Sequence, residues 1–263
     1  MNLLVRNLLA LGGGCSIFLM VMTAQAAVSI GINFCDSGSQ LASASDPGIV
    51  SGSNWNNIVG TNGLNFSVSN AALNDSTGNS TAARLSITGG NGLYNEYGSL
   101  ATSNAATNLL YSCGICCGGI SDPIITLTNI PFDSYDVYVY ADAETTDQST
   151  LSITGTSSSG TSTFYYNSSG DNSTWHGNVT DLPLLQTTSA DVGSPTINGR
   201  YVLFQNMTGT TFTLDAGGSI DGIISNNVYG LQIVGAVPEP STVVLLSLCG
   251  FCWMLRNRRR PLV

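Results

Sequence analysis

Residues 124–140 read IITLTNIPFDSYDVYVY. In Ile124-Ile125-Thr126-Leu127-Thr128, apolar and hydroxyl side chains alternate. In Tyr135-Asp136-Val137-Tyr138-Val139-Tyr140 the same two-residue period returns with aromatic and β-branched residues. Successive side chains of an extended chain point to opposite faces, so this period predicts two half-buried strands. Asn129-Ile130-Pro131 and Asp133 lie between the two runs. Proline fixes φ and donates no amide, and Asn and Asp favour turns, so the segment reads as strand, turn, strand.

Working outward, the same pattern recurs. The N-terminal side holds Val28–Phe34, Leu64–Val68 and Ala83–Ile87. The C-terminal side holds Thr150–Ile153, Thr163–Tyr166, Tyr201–Phe204, Thr211–Leu214 and Tyr229–Val234. Gly, Asn, Asp and Pro bound these runs, as they bound antiparallel strands. Residues 101–111 have room for a turn or two of helix, and no other part of the body keeps a helical period with caps. About ten short strands without helices predict one all-β domain, an antiparallel two-sheet sandwich of jelly-roll type, over residues 27–236.

Charge limits what this domain can touch. The chain has no lysine, and residues 27–236 carry two arginines, Arg84 and Arg200, against fifteen acidic residues, a net of −13. Affinity for nucleic acid comes largely from Lys and Arg neutralising phosphates, so a nucleic-acid partner is excluded. A surface this acidic attracts divalent cations instead.

The two ends have their own logic. Residues 1–7 carry one positive charge, residues 8–22 are an apolar core, and Ala24-Gln25-Ala26 places small residues at a cleavage site. This is a secretory signal peptide over residues 1–26, which implies the Sec translocon as a partner. Cys15 does not make a lipoprotein box, because Gly12 stands where leucine is needed and a hydrophobic run follows. At the other end, VPEPSTVVLLSLCGFCWMLRNRRRPLV covers residues 237–263. Its apolar part, about 241–255, is a hydrophobic helix shorter than the roughly twenty residues of a comfortable span. The arginines that follow hold the tail on the cytoplasmic side, so membrane contact is made through this segment. Pro238 and Pro240 keep the preceding peptide extended and accessible.

Val237-Pro238-Glu239-Pro240, a short hydrophobic segment and Arg258-Arg259-Arg260 resemble, in that order, the PEP-CTERM sorting signal of Gram-negative bacteria. The resemblance covers residues 237–263. It implies exosortase as the processing partner, and a mature protein released to or held at the cell surface. The run 124–140 is similar to strand–turn–strand units of exported sandwich domains carrying this signal. The closing strand Tyr229–Val234 resembles the ending of galactose-binding-like jelly rolls, which at fold level implies contact with extracellular polysaccharide.

Candidate chemistry starts with cysteine. Cys35, Cys113, Cys116 and Cys117 are the body's four, an even number in an exported chain, and predict disulfides with three connectivities open. One C-x-x-C without a second pair or a nearby histidine does not make a zinc site. His176 is the sole histidine, and no nucleophile motif accompanies it, so no catalytic residue is assigned. Trp175 with His176, and Trp55 in its Asn-rich loop, are the candidate glycan contacts, because an indole face stacks on a sugar ring. The alternative for each is a tryptophan closing the sandwich. Calcium is the one cofactor considered, through Asp142, Glu144 and Asp147 or through residues 74–80. Neither stretch matches a calcium loop, and both read as solvated turns. Seven N-x-[ST] sequons reflect an Asn-, Ser- and Thr-rich surface. The resulting expectation is a non-catalytic exported surface or matrix protein in contact with polysaccharide. The alternatives are a secreted glycan-active hydrolase working through paired carboxylates and a purely structural matrix or adhesion component.

Overall fold

The computed structural model describes residues 27–236 apart from 62, 65, 91, 96–102, 117–121, 144–149, 168–183 and 218–225. The sorting tail, Trp175, His176, Cys117, Glu144 and Asp147 therefore lie outside the described residues. Among the described residues, no helix is long and apolar enough to cross a membrane.

The strands are β1 Ser29–Cys35, β2 Asn56–Val59, β3 Gly63–Leu64, β4 Val68–Asn74, β5 Ser80–Thr88, β6 Gly92–Asn95, β7 Cys113–Cys116 and β8 Ile124–Thr128. They continue with β9 Ser134–Ala143, β10 Thr150–Ser157, β11 Gly160–Asn167, β12 Gln186–Thr187, β13 Thr196–Ile197, β14 Tyr201–Thr208, β15 Phe212–Asp215 and β16 Asn226–Gly235. One six-residue helix, α1 Ala105–Leu110, starts where Asn104 accepts the amides of Ala106 and Thr107, as an N-cap does. The strands form two sheets. A seven-stranded sheet runs β13-β11-β10-β15-β8-β5-β4. A nine-stranded sheet runs β12-β14-β9-β16-β7-β6-β3, with β1 joined to β16 and β2 to β1.

A shared core unites the two. Ile30, Ile32, Val137, Val139, Phe204, Leu231 and Ile233 from the larger sheet meet Leu85, Ile87, Ile125, Leu127, Leu151, Ile153, Phe212 and Leu214 from the smaller one. The all-β sandwich expectation holds, with one amendment. The sheets are mixed, because β1/β2, β11/β13 and β12/β14 pair in parallel.

The opening stretch also divides. β8 belongs to the smaller sheet and β9 to the larger, so Asn129–Asp133 carries the chain across the sandwich rather than folding a hairpin. A second crossing, β14 to β15, stacks on it: β14 pairs β9, β15 pairs β8, and the Ile130 amide donates to the Thr210 carbonyl at 3.0 Å. Asn129 takes a positive φ of 53°, a conformation its short polar side chain tolerates. The expected strand Leu64–Val68 divides likewise, with Leu64 ending β3 in one sheet and Val68 opening β4 in the other. Of the short strands that no run of alternation announces, β2, β12 and β13 lie at sheet edges, and β7 and β6 lie between β16 and the edge strand β3.

Candidate functional site

Alternation along β9 sends Tyr135, Val137, Val139 and Ala141 into the core and leaves Tyr138 and Tyr140 on the outer face of the larger sheet. Gly31, Asn33 and Cys35 of β1, Gln232 and Tyr229 of β16, and Tyr201 and Leu203 of β14 occupy that same face. Part of it is roofed by residues 36–55 and by α1, which enclose a second cluster of Leu41, Trp55, Leu110, Tyr111, Tyr140 and Tyr229.

Trp55 is the centre of this roof. Its indole lies flat over Gly31, so close that a Cβ there would fall 2.5 to 2.9 Å from three ring carbons. The indole N–H donates to the Gly52 carbonyl at 2.9 Å, and the ring lies 6.0 Å from that of Tyr140. At 6% exposure, Trp55 closes the sheet face and offers no surface for a sugar ring. The glycan-contact expectation for Trp55 gives way to the closing role, because only the absence of a side chain at Gly31 lets the indole settle so deep.

A buried polar hub holds the roof down. Gln232 donates to the Val50 carbonyl at 2.9 Å and accepts the Tyr140 hydroxyl at 3.0 Å, and the Tyr140 oxygen in turn accepts the Ile49 amide at 3.1 Å. Burial raises the Tyr140 phenol well above its usual range, against the opposing pull of the Ile49 amide. Tyr111 donates to the Arg200 carbonyl at 2.6 Å, and its phenol too is raised by burial. Burial lowers the Arg200 guanidinium, with Tyr229 and Tyr111 acting against it.

Beyond the roof the face is partly exposed among the described residues. Tyr138 and Tyr201 stack there with ring centroids 6.2 Å apart and planes 28° from parallel. The Tyr201 hydroxyl donates to Gln186 Oε1 at 3.3 Å. Gln232, pinned to Val50, stands directly opposite Tyr138 in the register, and Tyr140, pinned to Ile49, stands opposite Tyr201. The aromatic pair thus forms a half-exposed step at the foot of the 48–50 segment, with Ile49 (41%) and Leu185 (45%) exposed beside it. Period-two alternation placed these tyrosines on one face. Their meeting could not be read from the sequence, since sixty residues separate β9 from β14.

The other outer face, on the smaller sheet, is hydroxylic. Thr161, Thr156, Thr213, Thr126 and Ser86 are successive register partners across five strands. Thr154 and Thr163 bond through their hydroxyls at 2.8 Å, and Thr156 and Thr161 at 3.0 Å.

The cysteines do not form the expected bridge among the described residues. Cys35 and Cys113 are both buried thiols. Cys35 shares the outer face with Asn33 and reaches Asn57 Oδ1 at 3.9 Å, whereas Cys113 packs into the core between the sheets. Burial first, then Cys113 and Asp36, push the Cys35 thiol up to about 12. Of Cys116 only the strand backbone is described.

The turn proposed for calcium is internally satisfied. Asp75 Oδ1 accepts from the Thr77 amide, the Thr77 hydroxyl and the Asn79 amide at 2.9, 2.6 and 3.0 Å. Slight burial pushes this carboxyl up, but those hydrogen bonds outweigh it and hold it below its usual range. Among the described residues no three His, Cys, Asp or Glu side chains cluster as metal ligands would.

Comparison with known protein families matches the PEP-CTERM protein-sorting motif at residues 236–260. The chain carries a PEP-CTERM sorting signal. The signal implies export to the cell envelope and surface and processing by exosortase. No curated protein and no solved structure matches the chain, so the likeness to galactose-binding-like domains rests on its closing strand alone.

Proposed function

We propose that the exported sandwich contacts extracellular polysaccharide through the Tyr138–Tyr201 step, acting as a non-catalytic component of the cell surface or matrix. One observation carries this reading: two near-parallel aromatic rings, half-exposed, at the edge of a hydrogen-bonded loop layer and beside an amide side chain. Aromatic faces take the apolar faces of sugars, while Gln186 and the phenol oxygens answer hydroxyls. A net charge of −13 over the body favours neutral polymers over anionic ones.

The hydrolase reading has less support. Asp36, Asp46, Asp75, Asp136 and Asp191 each accept backbone amides, four within their own loops and Asp136 across to Asn206. Carboxylates so engaged hold backbone, while a glycosidase needs two facing each other across a cleft. The mature protein, purified from its host, should be retained on columns of the native surface polysaccharide. Tyr138→Ala/Tyr201→Ala should abolish retention while far-UV circular dichroism shows the sheets intact, with a lowered melting temperature because both rings pack on the roof cluster. Undiminished retention of that variant rules out the step as the contact. Release of reducing sugar from the polymer would favour the hydrolase instead.

A further inference from the structure

The sorting motif starts at Ala236, the last of the described residues, which is still hydrogen-bonded to the sheet. β1 and β16 pair antiparallel, with Ser29 opposite Val234, and the Gly235 amide donates to the Val28 carbonyl at 3.1 Å. One residue on, the Ala236 amide donates to the Ser134 carbonyl at 2.9 Å, and the matched motif begins at that same Ala236. The segments that lead to the N-terminal apolar core and to the C-terminal one therefore leave the sandwich at one corner.

The reach from that corner is short. Val237 to Pro240 is four residues, at most about 14 Å fully extended. Pro238 and Pro240 disfavour a helix there and restrict the residues before them to extended conformations. An enzyme that takes an extended peptide into a groove covers several residues on each side of the bond it acts on. With so little chain to spare, the folded corner must lie against the enzyme while the motif is engaged.

The corner is built for contact. Its surface is Ala27, Val28, Pro131, Phe132, Asp133 and Val234, with Pro131 and Asp133 exposed and the others half-buried. The Phe132 ring packs on Gly235, where a Cβ would fall 2.7 Å from it. Asp133 is the one charge on this turn. The next, Asp136, is already bonded to the Asn206 amide.

We infer that the corner formed by the start of β1, the end of β16 and the Pro131–Asp133 turn is a docking surface for the outer face of exosortase, which acts on this chain with the sandwich already folded against it. The inference rests on processing by exosortase, and its occupant follows from the length of chain between Ala236 and the motif prolines.

The test uses the full chain expressed in its host, with the tail-bearing and processed forms separated by intact mass after a pulse of synthesis. Val28→Glu/Pro131→Glu adds two negative charges at the corner and leaves every backbone hydrogen bond in place. It should slow conversion about fivefold, because charge placed in a largely apolar contact must be desolvated unpaired. A twelve-residue Gly-Ser spacer between Ala236 and Val237 adds a coil of about 20 Å, enough to let the body swing clear. It should restore conversion of the double variant to within about twofold of the parent. Conversion of the variant at the parental rate overturns the inference, because the tail is then processed without reference to the folded body. A slowed variant that the spacer fails to rescue overturns it too, since the defect would then lie in folding or export. Loss of the variant from membranes of a host lacking exosortase would reassign the corner to the bilayer. A parental chain that keeps residues 241–263 with exosortase present removes the sorting reading itself, an outcome distinct from all three.

Discussion

Replacing Gln232 with leucine should release the loop layer from the sheet. Gln232 is fully buried, donates to the Val50 carbonyl and accepts from Tyr140, and its amide also lies 3.5 Å from Ser29 Oγ. Leucine has similar bulk, so the packing survives while the Val50 carbonyl and the Tyr140 hydroxyl proton lose their partners. Each buried polar group left unsatisfied costs about 1–3 kcal/mol, so two cost about 2–6, offset in part by the apolar gain. A net loss of about 3 kcal/mol lowers the melting temperature by about 9 °C in a body of this size, where each kcal/mol shifts it 2–4 °C. The Tyr140→Phe variant removes the hydroxyl from the other side. Its combination with Gln232→Leu should cost less than the sum of the two, by about 1 kcal/mol, because both delete the same contact. Thermal unfolding followed by circular dichroism measures the cycle, and limited proteolysis around residues 46–52 reports whether the roof has loosened. A shift below about 2 °C for Gln232→Leu, or strictly additive losses, would refute the hub as the element holding the roof.

Three further outcomes are expected. Gly31→Ala drives a methyl group into the Trp55 indole and should cost about 1–3 kcal/mol as overpacking. Trp55→Leu in the same chain should recover most of the loss, which melting followed by circular dichroism would show. Gly155→Val should be destabilising by a similar margin, about 1–3 kcal/mol, in the same melt, since the Phe204 ring stands 2.6 Å from the added Cβ position.

The Cys35 thiol is raised from 9.0 to about 12 and Tyr135 from 10.0 to about 12, in both cases by burial first. Folded values above the unfolded ones mean that the native state holds these protons while the unfolded chain releases them. Their contribution is full below pH 9.0 and is lost as pH rises through about 12. Urea melts should thus be level from neutral pH to about 9 and fall steeply above it. A thiol reagent at pH 8 should leave Cys35 unmodified until the chain unfolds. Rapid native labelling of Cys35 at pH 8 would contradict its burial.

Much was legible before any tertiary structure, for a local reason. The two-residue period in Tyr135–Tyr140 and in Ile125–Thr128 assigns each side chain to one face or the other, and the structure keeps those assignments. The sorting signal was legible too, because it is a linear feature whose parts act in order along the chain. The −13 balance of the body is a sum over composition and needs no fold.

What a strand pairs with, and which side of the sandwich it joins, is a non-local choice. Alternation is the same for a hairpin and for a crossing between sheets, so only tertiary structure separates β8 from β9 into different sheets. The burial of Trp55 depended on a missing side chain at Gly31, twenty-four residues away. The meeting of Tyr138 with Tyr201 depended on the register of β9 with β14. The sequence alone determined the faces of the strands and the destination of the chain; the packing of those faces decided which aromatics close the core and which remain at the surface, because burial is settled by neighbours distant in sequence.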